Sequence, residues 1–146
     1  MIKDSFLFIA NYLWRESIKN LKEHLTESEL KSFSSNDYYY LTTIYYMGKP
    51  NFSEVAEALK FTKPAISALI RKLTKMDLIE KVQSQEDKRV YHICVTAKGK
   101  NIVDGDEELY NKIDSAIKET LNSNEKYGFA ENLLEEIAGI LEKTED

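Results

Sequence analysis

Lys63, Arg71, Lys72 and Lys75 recur along one stretch of the chain, and an Asp87-x-Arg89 pair follows closely. Cations gathered on one helix face attract phosphate, and an arginine held by a neighbouring carboxylate suits a narrow, strongly negative groove. Other chemistry is less well supplied. His92 and Cys94 lie two apart and would share a strand face, but two ligands are too few for a metal site, so neither metal nor cofactor is expected. A single cysteine excludes an intramolecular disulfide. No glycine-rich phosphate loop or nucleophile, base and orienter signature is present, so catalysis is not expected.

The 146-residue chain has a formal charge of −5, which taken as an average argues against polyanions. The distribution reverses that inference. Residues 1–59 carry six basic and eight acidic side chains, residues 60–100 ten and four, and residues 101–146 four and thirteen. A basic middle between acidic ends draws phosphate to one surface while the rest repels it. No apolar run approaches the roughly 20 residues that span a bilayer, and Asp4 stands where a secretory leader would be basic. The cytoplasm is the expected compartment, with no membrane partner.

Five glycines and two prolines leave little punctuation, which predicts a mainly helical chain. Apolar steps predict a first helix from Ser5 to about Leu25, and its run Phe6-Leu7-Phe8-Ile9 exceeds one buried stripe, so a partner subunit is the simplest cover. Ser34 caps a second helix, with Asp37 in a capping box and Phe33 stapled to Tyr38; Gly48 ends it. Ser53 is expected to cap a short helix that buries Val55, Ala56 and Leu59. Thr62 caps the next, with Pro64 in its first turn. Ile66, Leu69, Ile70, Leu73 and Met76 mark its buried face, and Lys63, Ala65, Ser67, Ala68, Arg71, Lys72 and Lys75 its outer face. Two short helices with a tight turn and one basic outer face form a helix-turn-helix pattern. Residues 78–95 then change to strand period around a polar tip, giving a β-hairpin. Thr96 caps a further helix, Asn122-Ser123-Asn124 breaks it, and a last apolar helix runs into Lys143-Thr144-Glu145-Asp146.

The segments Ser53-Glu54-Val55-Ala56-Glu57-Ala58-Leu59, Lys63-Pro64-Ala65-Ile66-Ser67-Ala68-Leu69-Ile70-Arg71-Lys72-Leu73, Asp77-Leu78-Ile79, Asp87-Lys88-Arg89 and Thr96-Ala97-Lys98-Gly99 follow one another in this order. In that order and spacing the chain resembles the MarR family of bacterial transcriptional regulators over nearly its whole length. The resemblance implies a mainly α winged helix-turn-helix with a small β-hairpin wing, flanked by N- and C-terminal dimerisation helices. By role the chain would divide into residues 1–32 (dimerisation helix), 33–98 (DNA-binding lobe) and 99–146 (dimerisation helices). It implies a homodimer that binds double-stranded DNA at a pseudo-palindromic operator, as a ligand-responsive repressor rather than an enzyme. A winged helix that docks a protein instead of DNA is the alternative.

Under that resemblance the recognition-helix contacts are Thr62, Lys63, Pro64, Ala65, Ser67, Ala68, Arg71, Lys72 and Lys75, and the wing contacts are Gln83, Ser84, Gln85, Asp87, Lys88 and Arg89. Pro64, Ala65 and Ala68 are poor hydrogen bonders, so base reading would lean on Ser67, Arg71 and apolar contact with thymine methyls, while Lys63, Lys72 and Lys75 touch phosphate. Arg89 would enter the minor groove. Tyr12, Trp14, Tyr38 and Tyr45 either belong to core and interface or line a pocket for a small aromatic or lipophilic effector. One departure stands out: the turn between Leu59 and Thr62 lacks glycine, so Lys60 or a neighbour must take its strained geometry.

Overall fold

The computed structural model describes residues 1–143; Thr144, Glu145 and Asp146 of the C-terminal segment lie outside the described residues. The elements are α1 (Ile2–His24), α2 (Glu27–Ser32), α3 (Ser35–Met47), α4 (Phe52–Ala58), α5 (Lys63–Lys75), β1 (Ile79–Gln83), β2 (Tyr91–Val95), α6 (Ala97–Leu121) and α7 (Asn124–Glu142). They fall into two compact units, Met1–Glu107 and Glu108–Asp146. Residues 1–32 and 33–98 thus lie within one unit.

Side chains that replace missing backbone partners mark where the helices begin. Ser34 accepts from the Asp37 amide while the Asp37 carboxylate accepts from the Ser34 amide, so the predicted capping box closes at both ends. Thr62 accepts from the Ala65 amide at 3.4 Å, and proline follows in the first turn. The start of α4 differs from expectation. Asn51, not Ser53, is the cap: its Oδ1 accepts from the Glu54 amide at 2.9 Å, and Glu54 returns the bond to the Asn51 amide at 2.8 Å. The same reciprocal pattern, Thr26 with Glu29, starts α2, a six-residue helix the apolar periodicity did not reveal.

The core of the first unit joins Leu41 and Ile44 of α3, Val55 of α4, Ile66, Leu69, Ile70 and Leu73 of α5, Leu78, Ile79, Ile93, Ile102 and Val103. Fully burying such an aliphatic side chain is worth about 1.5–3 kcal/mol, enough to fix α5 along its inner face and leave its outer face free. Lys60 takes the tight turn before it with φ +53°, the left-handed strain expected where no glycine is available. β1 and β2 pair antiparallel from Ile79 with Val95 to Gln83 with Tyr91. The loop between α3 and α4 adds to this hairpin: Ile93 donates its amide to the Pro50 carbonyl at 2.8 Å, and Asn51 bridges His92. The wing is therefore tied to the start of α4.

Gly99 lies where α6 crosses the base of the wing. A Cβ there would come within 2.3 Å of the Leu78 carbonyl oxygen and 2.8 Å of Val95 Cγ1. In the second unit, Ser123 caps α7. Tyr127 donates to Asp114 at 2.5 Å, and Lys118 bonds Asp114 at 2.7 Å while lying 4.8 Å from the Tyr127 ring centre, so three side chains clasp α7 to the end of α6.

Candidate nucleic-acid interface

The outer face of α5 is open. Thr62, Lys63, Pro64, Ala65, Ser67, Ala68, Arg71 and Lys75 are exposed, and among the described residues Lys63, Arg71 and Lys75 form no ion pair. Three unneutralised cations on one helix, spaced by small side chains, can approach a phosphodiester backbone without first breaking an internal bond.

Lys72 departs from the sequence reading, which grouped it with the phosphate contacts. It is half-buried, and its Nζ donates to Asp37 Oδ2 at 2.6 Å. Burial works to raise the Asp37 carboxyl's pKa, but the Lys72 ammonium and the amide and hydroxyl of Ser34 outweigh it and hold the group below the usual aspartate range. The physical reason is rotational: Lys72 follows Arg71 by one helical step and so points toward α3 instead of outward. No single-helix pattern can display an acid on a different helix.

At the wing, Gln83, Gln85, Lys88 and Arg89 are exposed, with Ser84 and Asp87 half-buried. The tip is pre-shaped by short-range bonds: Ser84 Oγ accepts from the amides of Glu86 and Asp87, and Gln83 Nε2 donates to the Lys88 carbonyl at 2.6 Å. Asp87 takes Arg89 by both ends, Nε to Oδ1 at 3.2 Å and Nη2 to Oδ2 at 3.1 Å, and accepts the Arg89 amide as well. These bonds from the Arg89 side chain and backbone lower the Asp87 pKa. The guanidinium is thus paired at both ends by Asp87 while its side chain stays 90% exposed. A cleft of about 320 Å3 runs between Arg89, Val90 and Tyr91 and the α4 start at Asn51, Phe52 and Ser53.

Three of the four residues considered for an effector pocket have separate engagements. Tyr38 donates to Asp106, a carboxylate only 2% exposed, and Tyr45 donates to Asp104 at 3.0 Å. The hydrogen bond to Asp104 and burial raise the Tyr45 pKa. These two α3 hydroxyls are anchors onto α6. Tyr12 lies beneath the Arg15 guanidinium at 5.9 Å, and Trp14 is exposed. His92, weighed as half of a metal pair, has its Nδ1 3.0 Å from the Lys49 carbonyl oxygen. Sequence reading also passed over Lys98, which bonds Glu29 at 2.8 Å and the Met76 carbonyl at 2.9 Å, tying α6 to α2 and to the end of α5. It also passed over Asn20, which bonds the Ile102 carbonyl at 2.7 Å.

A helix-turn-helix followed at once by a two-stranded wing, with a cationic second helix and an arginine at the wing tip, is the architecture of a winged-helix DNA-binding protein. Residues 22–105 match the transcriptional regulator SarA/Rot family. The chain belongs to that family, whose members are transcriptional regulators and not enzymes. It is 22% identical over 102 residues to the HTH-type transcriptional regulator YpoP of Bacillus subtilis, covering 70% of this chain and 72% of YpoP. To the HTH-type transcriptional regulator BilQ of Clostridioides difficile it is 26% identical over 96 residues, 66% of this chain and 65% of BilQ. Among solved structures, S. aureus MepR in its DNA complex superposes with a TM-score of 0.66 at 20% identity, covering 92% of this chain and 96% of MepR. MepR bound to ethidium bromide gives 0.69 at 19% identity, covering 96% of each. These structural likenesses confirm the winged-helix fold expected from the MarR resemblance.

Proposed function

We propose that this regulator acts in the cytoplasm as a homodimer that reads a pseudo-palindromic operator. The α5 helix of each protomer enters a major groove, and Arg89 of each wing enters the flanking minor groove. The observation that carries the reading is the outer face of α5, where Lys63, Arg71 and Lys75 are exposed and, among the described residues, form no ion pair, in a chain of net charge −5. Half-site centres are then about one helical turn apart. The partner surface is supplied by Phe6, Phe8, Phe129, Leu133 and Ile140, apolar side chains exposed on α1 and α7. Large apolar side chains left exposed on terminal helices are what a second copy covers. The division into dimerisation residues 1–32 and 99–146 around a DNA-binding lobe at 33–98 belongs to this reading.

Regulation is proposed as repression relieved by a small aromatic or lipophilic effector; MepR, a protein of this fold, has been solved with ethidium bromide. Such an effector acts only by preferring a dimer geometry that no longer fits the grooves. The test is fluorescence anisotropy with duplex DNA from the region upstream of the protein's own gene. Affinity is expected to fall steeply between about 50 and 200 mM salt, and Arg89→Ala to weaken binding with the fold intact. Salt-independent binding, or none, would instead favour a winged helix that docks a protein partner.

A further inference from the structure

Asp37 stands where α3 meets the recognition helix. It is 4% exposed, and a single oxygen, Oδ2, accepts from the Ser34 amide at 2.7 Å, the Ser34 hydroxyl at 2.8 Å and the Lys72 ammonium at 2.6 Å. One carboxylate therefore closes the α3 capping box and grips the middle of α5. Lys72 is adjacent to Arg71 and five residues from Ser67, so fixing its direction fixes the rotation at which both present themselves. The Lys72 side chain is 38% exposed and long enough to turn outward, but doing so would leave a buried carboxylate without its cation.

We propose that Asp37 is a positioning residue for DNA reading: it sets the rotation of α5 through Lys72 and withholds that ammonium from phosphate. Lys63, Arg71 and Lys75 are left as the DNA-directed cations of the helix. The proposal rests on the DNA-binding reading above. In this arrangement Lys72 serves specificity through its bond to Asp37 and contributes no counterion release.

The experiment uses the full chain with two duplexes of equal length, its own upstream region and an unrelated sequence, titrated at several salt concentrations. Lys72→Met is expected to leave the salt slope and the affinity for unrelated DNA unchanged, while affinity for the upstream region falls about tenfold. A slope shallower by about 0.9 per protomer, with both duplexes losing affinity equally, would make Lys72 a phosphate contact and overturn the proposal. Asp37→Asn keeps an oxygen for the Ser34 amide and serves as the second variant. It should lower the ratio of specific to unrelated binding and make the slope steeper as Lys72 is released; an unchanged ratio overturns the proposal. The double variant should lose no more discrimination than the worse single one, since both remove the same bond, and additive losses count against it. If the unaltered protein binds neither duplex in a salt-dependent way, the DNA reading itself fails before any variant is compared, and this proposal falls with it.

Discussion

Phe129→Ala tests the dimer where the arithmetic is clearest. The ring lies on α7 with 70% of its surface exposed in the single chain, so its removal takes little from the folding of that chain. Fully burying phenylalanine is worth about 1.5–3 kcal/mol, and covering the exposed seven-tenths of this ring is worth about 1–2 kcal/mol. Twofold symmetry removes the ring from both sides of the interface, for a total of about 2–4 kcal/mol, or a dimer dissociation constant raised about 30- to 700-fold. Sedimentation velocity over a concentration series reads this as a shift of the monomer–dimer midpoint, with circular dichroism confirming an unchanged helix content. Tyr91→Ala, which removes a ring from the wing instead of the terminal helices, should leave the midpoint where it was. A midpoint unmoved by Phe129→Ala, or an unaltered protein that is monomeric throughout, would refute the assignment of α7 to the interface and with it the palindrome.

Gly99→Ala places a methyl against the Leu78 carbonyl, backbone that cannot swing aside, and should destabilise by about 1–3 kcal/mol; an unchanged melting temperature would contradict the close approach. Asn51→Ala should cost about 1 kcal/mol in urea unfolding and Ser53→Ala close to nothing, and the reverse ranking would return the cap to Ser53. Asp37 has a folded pKa held below its unfolded value of about 3.9, so its stabilisation is complete above that pH and is lost as the pH falls through the lower, folded value. Asp37→Asn should therefore flatten the acid limb of stability against pH, and an acid limb identical to that of the unaltered protein would show that Lys72 and Asp37 do not pair in solution.

The parts of this molecule legible in the sequence are those decided by neighbours a few residues apart. Caps such as Ser34 with Asp37 and Thr62 with Ala65 depend on a three-residue spacing, and the buried face of α5 on steps of three and four. The Asp87 and Arg89 pair belongs to the same class, as does the strain placed on Lys60 by a turn without glycine. Even the short α2 was within reach, since Thr26-x-x-Glu29 is a capping-box spacing that an apolar template ignores. At α4, Ser53 and Asn51 are both good caps, and only Asn51 stands three residues before an acid that can return the bond.

What the sequence could not display are pairings across long separations. Lys72 with Asp37, Lys98 with Glu29 and Tyr38 with Asp106 each join residues on different helices. Whether a lysine faces solvent or a buried carboxylate depends on where another helix lies, which charge counting along one helix does not contain. The candidate interface is where that difference alters the functional conclusion. Counted along the chain, α5 offers Lys63, Arg71, Lys72 and Lys75 to DNA; in the fold three of them are exposed and outside any ion pair among the described residues, while the fourth bonds Asp37 and, under the proposal above, holds the helix that carries the others. The distinction between a residue that touches DNA and one that aims the residues touching it is thus a property of the α3 and α5 contact, and a salt slope can read it directly.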